Sequence, residues 1–255
     1  MKQRVRFTKL GKIRFLSHRD IARVWERGLR RAGVRVAYSE GFSPRPRLSF
    51  GLALSTGYES LGEYLDIDLR VDAAVDPAAL PALVTPFLPD GMAAQRSVPL
   101  ELGTESLQAS VTSSTWRLEV VGSTADAVED AVDRALRADE LPIVVERKGS
   151  EALVDARPAI LALAVVSAED GEKALPSGVV PLRSSVVLEA ELATQPRSLR
   201  PAELLRALDP TWLEGRVLRT HQWTSVDGAR CEPIPLGDLG ASGATSAPHA
   251  GARAS

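Results

Sequence analysis

Apolar and polar residues alternate from the start of the chain. Over residues 4–16, Val5 and Phe7, then Ile13 and Phe15 beyond a turn at Gly11, are spaced by Arg or Lys. A period of two predicts a half-buried strand or hairpin. The period then lengthens. Ile21, Val24, Trp25, Leu29 and Ala32 recur at steps of three and four. This predicts a helix from about Asp20 to Ala32 that stops at Gly33, with Trp25 buried against a sheet. Ser17-His18-Arg19-Asp20 supplies a Ser–x–x–acid start of the capping-box kind. A short strand follows over 34–38, then a loop that Pro44 and Pro46 hold extended. Leu48, Phe50, Leu52 and Leu54 fall on one face of a further strand, and 63–69 alternates again with its acids outward. A helix from Asp76 to about Phe87 and a strand over 92–98 complete the first hundred residues.

That order is β-α-β-β-α-β, the ferredoxin-like pattern. Residues 101–114 are small and polar and read as a linker. The order then recurs, with a strand at 115–121, a helix at 124–138 and strands at 142–147 and 151–156. Apolar runs at 159–167 and 185–193, a helix from Pro201 to Leu208 and a strand at 216–224 follow, leaving at least one extra strand. The predicted class is therefore α+β, with two tandem ferredoxin-like modules and antiparallel sheets. A basic module covers 1–100, a linker 101–114 and a second module 115–236. Residues 237–255 are low in complexity and are expected to be disordered.

Charge sharpens the division. The first fifty residues hold fourteen Lys and Arg against three acids, a local charge of +11. The remainder holds seventeen bases against thirty acids, or −13, so the formal total of −2 conceals a strong asymmetry. Such a basic region is the usual footprint of a polyanion. The alternative is a solubilising face that pairs with the acidic remainder. The lone Cys231 excludes a disulfide framework and a cysteine-based zinc or iron–sulfur site, which fits a cytoplasmic protein. No apolar run is long enough to span a membrane.

Candidate chemistry gathers in the same fifty residues. Arg19, Arg23, Arg27 and Arg31 recur every four residues and form a basic ridge beside the apolar stripe. His18 stands at a helix start, where free N–H groups favour an anion, and could transfer a proton. Its alternative role is a packed or solvated neighbour of the cap. Tyr38, Phe42, Arg45 and Arg47 flank the proline loop, a combination that can stack a base and hold a sugar-phosphate backbone. Equally, the aromatics could be core and the loop a rigid connector. The segment 63–69 offers Glu63, Asp66 and Asp68; Asp66 and Asp68 share a strand face and could bind a metal, but read better as a solvated edge-strand face or as partners of the arginines. His221, Trp223 and Cys231 make no recognisable metal set. No P-loop, GxGxxG, HExxH or GxSxG motif occurs, so no metal and no cofactor are expected.

FLSH (15–18), the arginine-rich helix and the GFSPRP loop (41–46) together resemble a bacterial family of uncharacterised proteins linked to radical-SAM enzymes. In many bacteria that domain is fused behind a B12-binding radical-SAM protein. In actinobacteria it resembles a stand-alone chain and often sits beside ribonuclease E/G genes. The likeness is close over residues 5–70. Gly28 stands where the family usually has Ala, and Ser43 and Arg45 stand where it often has Asn and His. This chain lacks the three closely spaced cysteines that would hold a radical-SAM cluster. The resemblance and the charge imply an accessory protein that binds RNA through its basic face. Its partner would be a radical-SAM enzyme or a ribonuclease. One alternative is a metal-independent ribonuclease or other phosphoryl-transfer enzyme using His18, and another is a protein–protein adaptor. The element order is also similar to that of the repeat-associated CRISPR RNA-binding proteins.

Overall fold

The computed structural model describes residues 1–72, 75–147, 149–166 and 186–235. Its architecture is mixed α/β, with a mostly antiparallel sheet and few helices. The first half contributes β1 (Lys2–Lys9), β2 (Leu48–Phe50), β3 (Glu59–Asp68) and β4 (Ala94–Leu100). The second contributes β5 (Val111–Val121), β6 (Pro142–Arg147), β7 (Ser150–Asp155), β8 (Ile160–Val166), β9 (Val186–Ala193), β10 (Leu213–Val226) and β11 (Ala229–Cys231). The helices are α1 (His18–Arg31), α2 (Leu80–Val84), α3 (Leu107–Ser110), α4 (Ala125–Arg137) and α5 (Pro201–Leu208).

Where the sequence predicts two separate sheets, the two halves share one. Its order is β4-β1-β3-β10-β5-β9-β8, with β2 on β3 and β11 on β10. Each half runs antiparallel within itself. The join is a short parallel pairing of Leu218 with Glu59 and Arg219 with Ser60. It covers the stretch of β3 that β2 does not reach, whose backbone groups would otherwise form an open edge.

Local sequence accounts for α1. Ser17 Oγ accepts the Asp20 N–H at 3.2 Å and donates to the Asp20 carboxylate at 2.7 Å. Trp25 is fully buried, its ring edge-on to Phe7 with centroids 5.0 Å apart. Gly28 lets the turn around Leu88 approach, for a Cβ there would lie 2.9 Å from Leu88 Cδ2. Val5, Phe7, Trp25, Leu29, Ile67 and Leu80 centre one core. Trp116, Leu118, Val128, Leu188, Leu204 and Val217 centre a second. Tyr64, Leu107 and Ile234 pack on the opposite face of the first half.

Several elements depart from the sequence pattern. Gly11–Phe15 is a 3-10 turn, so the first alternation ends at Lys9. Residues 34–38 form only isolated bridges, Val36 with Leu69 and Tyr38 with Pro46. The hairpin of β6 and β7 stands off the main sheet, and the two apolar runs supply β8 and β9 instead. Short apolar runs do not declare their place in a sheet, which long-range pairing decides. Residues 101–114 contain α3 and the first residues of β5. The expected tail, 237–255, lies outside the described residues.

Candidate nucleic-acid interface

The N-terminal charge divides into a buried set and an exposed set. Arg4, Arg6 and Lys9 are almost fully buried, which corrects their reading as part of a basic surface. Arg4 Nε and Nη2 donate to Asp66 at 2.7 and 3.0 Å. Arg6 pairs with Glu232 at 2.6 Å and donates to Tyr64 Oη at 3.1 Å. The Lys9 ammonium donates to the Leu16 carbonyl at 3.3 Å. Burial pulls its pKa below the ordinary lysine value, with Glu63 opposing. Nor are Glu63 and Asp66 the solvated face of an edge strand. β3 lies inside the sheet, and both carboxylates are buried against arginines. Among the described residues, no group of His, Cys, Asp and Glu is placed to hold a metal ion.

The exposed set lies on α1 and the proline loop. Arg19, Arg23, Arg27, Arg30 and Arg31 all reach solvent. Arg23 lies 3.5 Å from Asp20 and Arg47 3.4 Å from Asp68. Among the described residues, Arg19, Arg27, Arg30, Arg31 and Arg45 have no carboxylate within ion-pair distance. Burial of Ile21, Trp25, Gly28 and Leu29 fixes which way α1 faces. The helix then turns Glu26 and Arg30 towards the proline loop, and carries Arg27 and Arg31 further round.

Backbone bonds hold that loop as a closed finger. Ser39 N donates to Arg45 O at 2.9 Å, and Arg47 N to Ala37 O at 2.8 Å. Arg45 N donates to Ser39 Oγ at 3.0 Å. Pro44 and Pro46 have no N–H to leave unpaired. The finger presents Phe42 wholly to solvent and Tyr38 56% exposed, so neither ring is core.

Between the finger and the C-terminal end of α1 lies a groove of about 380 Å³. Glu26, Arg30, Arg35, Tyr38, Pro46 and Arg70 are among its walls. Arg35 and Arg70 share Asp72, at 3.8 and 3.0 Å, and that carboxylate is held below its ordinary pKa chiefly by its hydrogen bond from Arg70. Three arginines and an exposed tyrosine in one groove can hold phosphates and stack a base. The four-residue ridge points to neither Arg30 nor Arg35, and Arg70 comes from a segment distant in sequence. Their clue was residual: each is a base outside the apolar stripe beside a turn.

His18 is exposed and lies apart from the groove. Its ring stands edge-on to Phe50 with centroids 5.1 Å apart, beside a small pocket that Lys9 and Glu63 also line. No helix among the described residues is long and apolar enough to cross a membrane. A family model described as an uncharacterised protein conserved in bacteria (DUF2344) matches residues 2–201. No curated protein matches the chain.

Proposed function

The chain belongs to this family of uncharacterised bacterial proteins, and from the geometry of its N-terminal half we propose that it binds single-stranded RNA. The observation that carries the reading is the exposed Tyr38 in a groove with Arg30, Arg35 and Arg70. Phe42 at the tip of the adjoining finger offers a second stacking surface, and Arg45 an unshared charge. Stacking of bases on aromatic rings contributes about 1–3 kcal/mol per base and tolerates any sequence. An exposed aromatic ring beside arginines is free to stack on a partner. Arg19 and Arg23 extend the charged track along α1, while Arg27 and Arg31 stand at its far side.

In this reading the protein is a cytoplasmic accessory subunit without an iron–sulfur cluster of its own. It presents RNA to a radical-SAM enzyme or a ribonuclease, as the resemblance over residues 5–70 suggests. The strand orders β4-β1-β3-β2 and β10-β5-β9-β8 support two ferredoxin-like units, fused edge to edge with the hairpin of β6 and β7 inserted in the second. The basic half binds the RNA, and the acidic half is left for the partner.

Photocrosslinking tests the placement. Oligouridylate carrying 4-thiouridine should crosslink to Tyr38 or Phe42, mapped by mass spectrometry of the digested complex. Crosslinks confined to the second half would contradict it.

A further inference from the structure

A second cleft lies at the seam of the two halves and has a different character. Its volume is about 330 Å³, within the range of small-molecule sites. Leu52, Leu54 and Tyr58 reach it from the first half, and Trp116, Leu192 and Leu199 from the second. The space has a cause in the strand pattern. Residues 114, 116, 118 and 120 of β5 share one face, and Trp116, Leu118 and Val120 fill the core there. At Ser114 the same row carries a small side chain, opposite Leu192 on β9.

Two hydrogen-bond donors in the cleft lack acceptors. Ser114 is 2% exposed, and its Oγ has no partner among the described residues. Arg219 is 1% exposed and lies over the Trp116 ring, 5.2 Å from its centroid. Its Nε and Nη2 bond to Glu63 and to the Leu52 carbonyl, while Nη1 has no acceptor among the described residues. A buried hydroxyl without a partner is costly unless something occupies the site. At the N-terminal end of α5, Arg200 also lines the cleft, and among the described residues no acidic side chain does.

We propose that this seam cleft binds a small aromatic carboxylate, its ring among Trp116 and the leucines and its oxygens accepting from Ser114, Arg219 and Arg200. The walls supply the apolar body of such a site. The convergent donors select an acceptor, and Arg200, which has no carboxylate within ion-pair distance among the described residues, adds a positive charge beside Arg219, whose own charge is paired with Glu63. The site is independent of the RNA groove, with which it shares no wall residue.

Salicylate is a suitable probe on the full-length protein, read by saturation-transfer NMR and by quenching of tryptophan fluorescence. It should bind the wild type, while toluene binds much more weakly. Ser198→Trp, at the exposed rim, should abolish binding by filling the cleft, with the melting temperature and oligouridylate binding unchanged. Arg200→Ala should weaken binding about tenfold, as loss of a charge-assisted hydrogen bond does. Absence of salicylate binding at millimolar concentration overturns the proposal. So does equal binding of toluene, or unchanged binding by both variants.

Discussion

Arg219 of β10 and Glu63 of β3 form a buried ion pair across the seam, with Arg219 Nη2 2.6 Å from Oε1 and 2.8 Å from Oε2. Arg216 makes a second link of this kind, its Nη2 2.6 Å from Glu59 Oε2. The two halves are therefore joined by charge as well as by the short parallel pairing of their strands. Removing one member of such a pair strands the other in a low-dielectric site. Arg219→Met should destabilise the protein by about 3–5 kcal/mol in urea unfolding. The double variant Glu63→Leu/Arg219→Met should recover much of that loss. A single variant of wild-type stability would show that the seam does not depend on the pair.

Trp25 anchors α1 between Phe7 and the sheet. Trp25→Ala should cost about 3–5 kcal/mol, the range for truncating a buried aromatic. Trp25→Phe should cost less, because the indole N–H is buried without a partner among the described residues and its loss is a gain. An unchanged melting temperature for Trp25→Ala would contradict this packing.

How far the chain could be read from its sequence follows from the range of each interaction. α1 is written in local spacing and in Ser17 and Asp20, four residues apart at most from what they cap, and the structure forms it there. The ion pairs of β1 are not local. Alternation puts Arg4 and Arg6 opposite Val5 and Phe7, and reads as a wet face. That face is instead covered by Leu107, Ile234 and Glu232, which no pattern near β1 announces. The groove beside the proline loop was half legible. Tyr38 and the proline loop stand out in the sequence, but Arg35 and Arg70 reach Tyr38 only through the bridge of Val36 to Leu69. The hairpin of β6 and β7 shows the converse limit, a strong strand pattern that takes no place in the main sheet.

His221 gives the fold a pH dependence. Burial lowers its pKa below the reference of 6.5, with Glu232 opposing, and its ring stacks on Trp223 at 4.9 Å. The unfolded chain therefore binds a proton at higher pH than the folded one. The contribution of the neutral ring is complete above about pH 6.5 and is lost as pH falls towards the depressed folded value. Between these limits, stability should rise with pH, and His221→Gln should flatten the rise. An equal slope in both proteins, from urea titrations at several pH values, would show that another group is responsible.

The central claim is that the groove and finger bind RNA through phosphates and stacked bases. Each phosphate contact on a single strand should contribute about −0.7 to the slope of log affinity against log salt. Arg30 and Arg45 are the cleanest pair to remove, because neither has a carboxylate partner among the described residues. Filter binding of oligouridylate at several salt concentrations, with wild type and Arg30→Ala/Arg45→Ala, is the direct measurement. The wild type should bind with a steep slope, and the double variant should bind more weakly with a slope flatter by about 1.4. A wild type that does not bind oligouridylate even at low salt, or a double variant with the wild-type slope, would contradict the account.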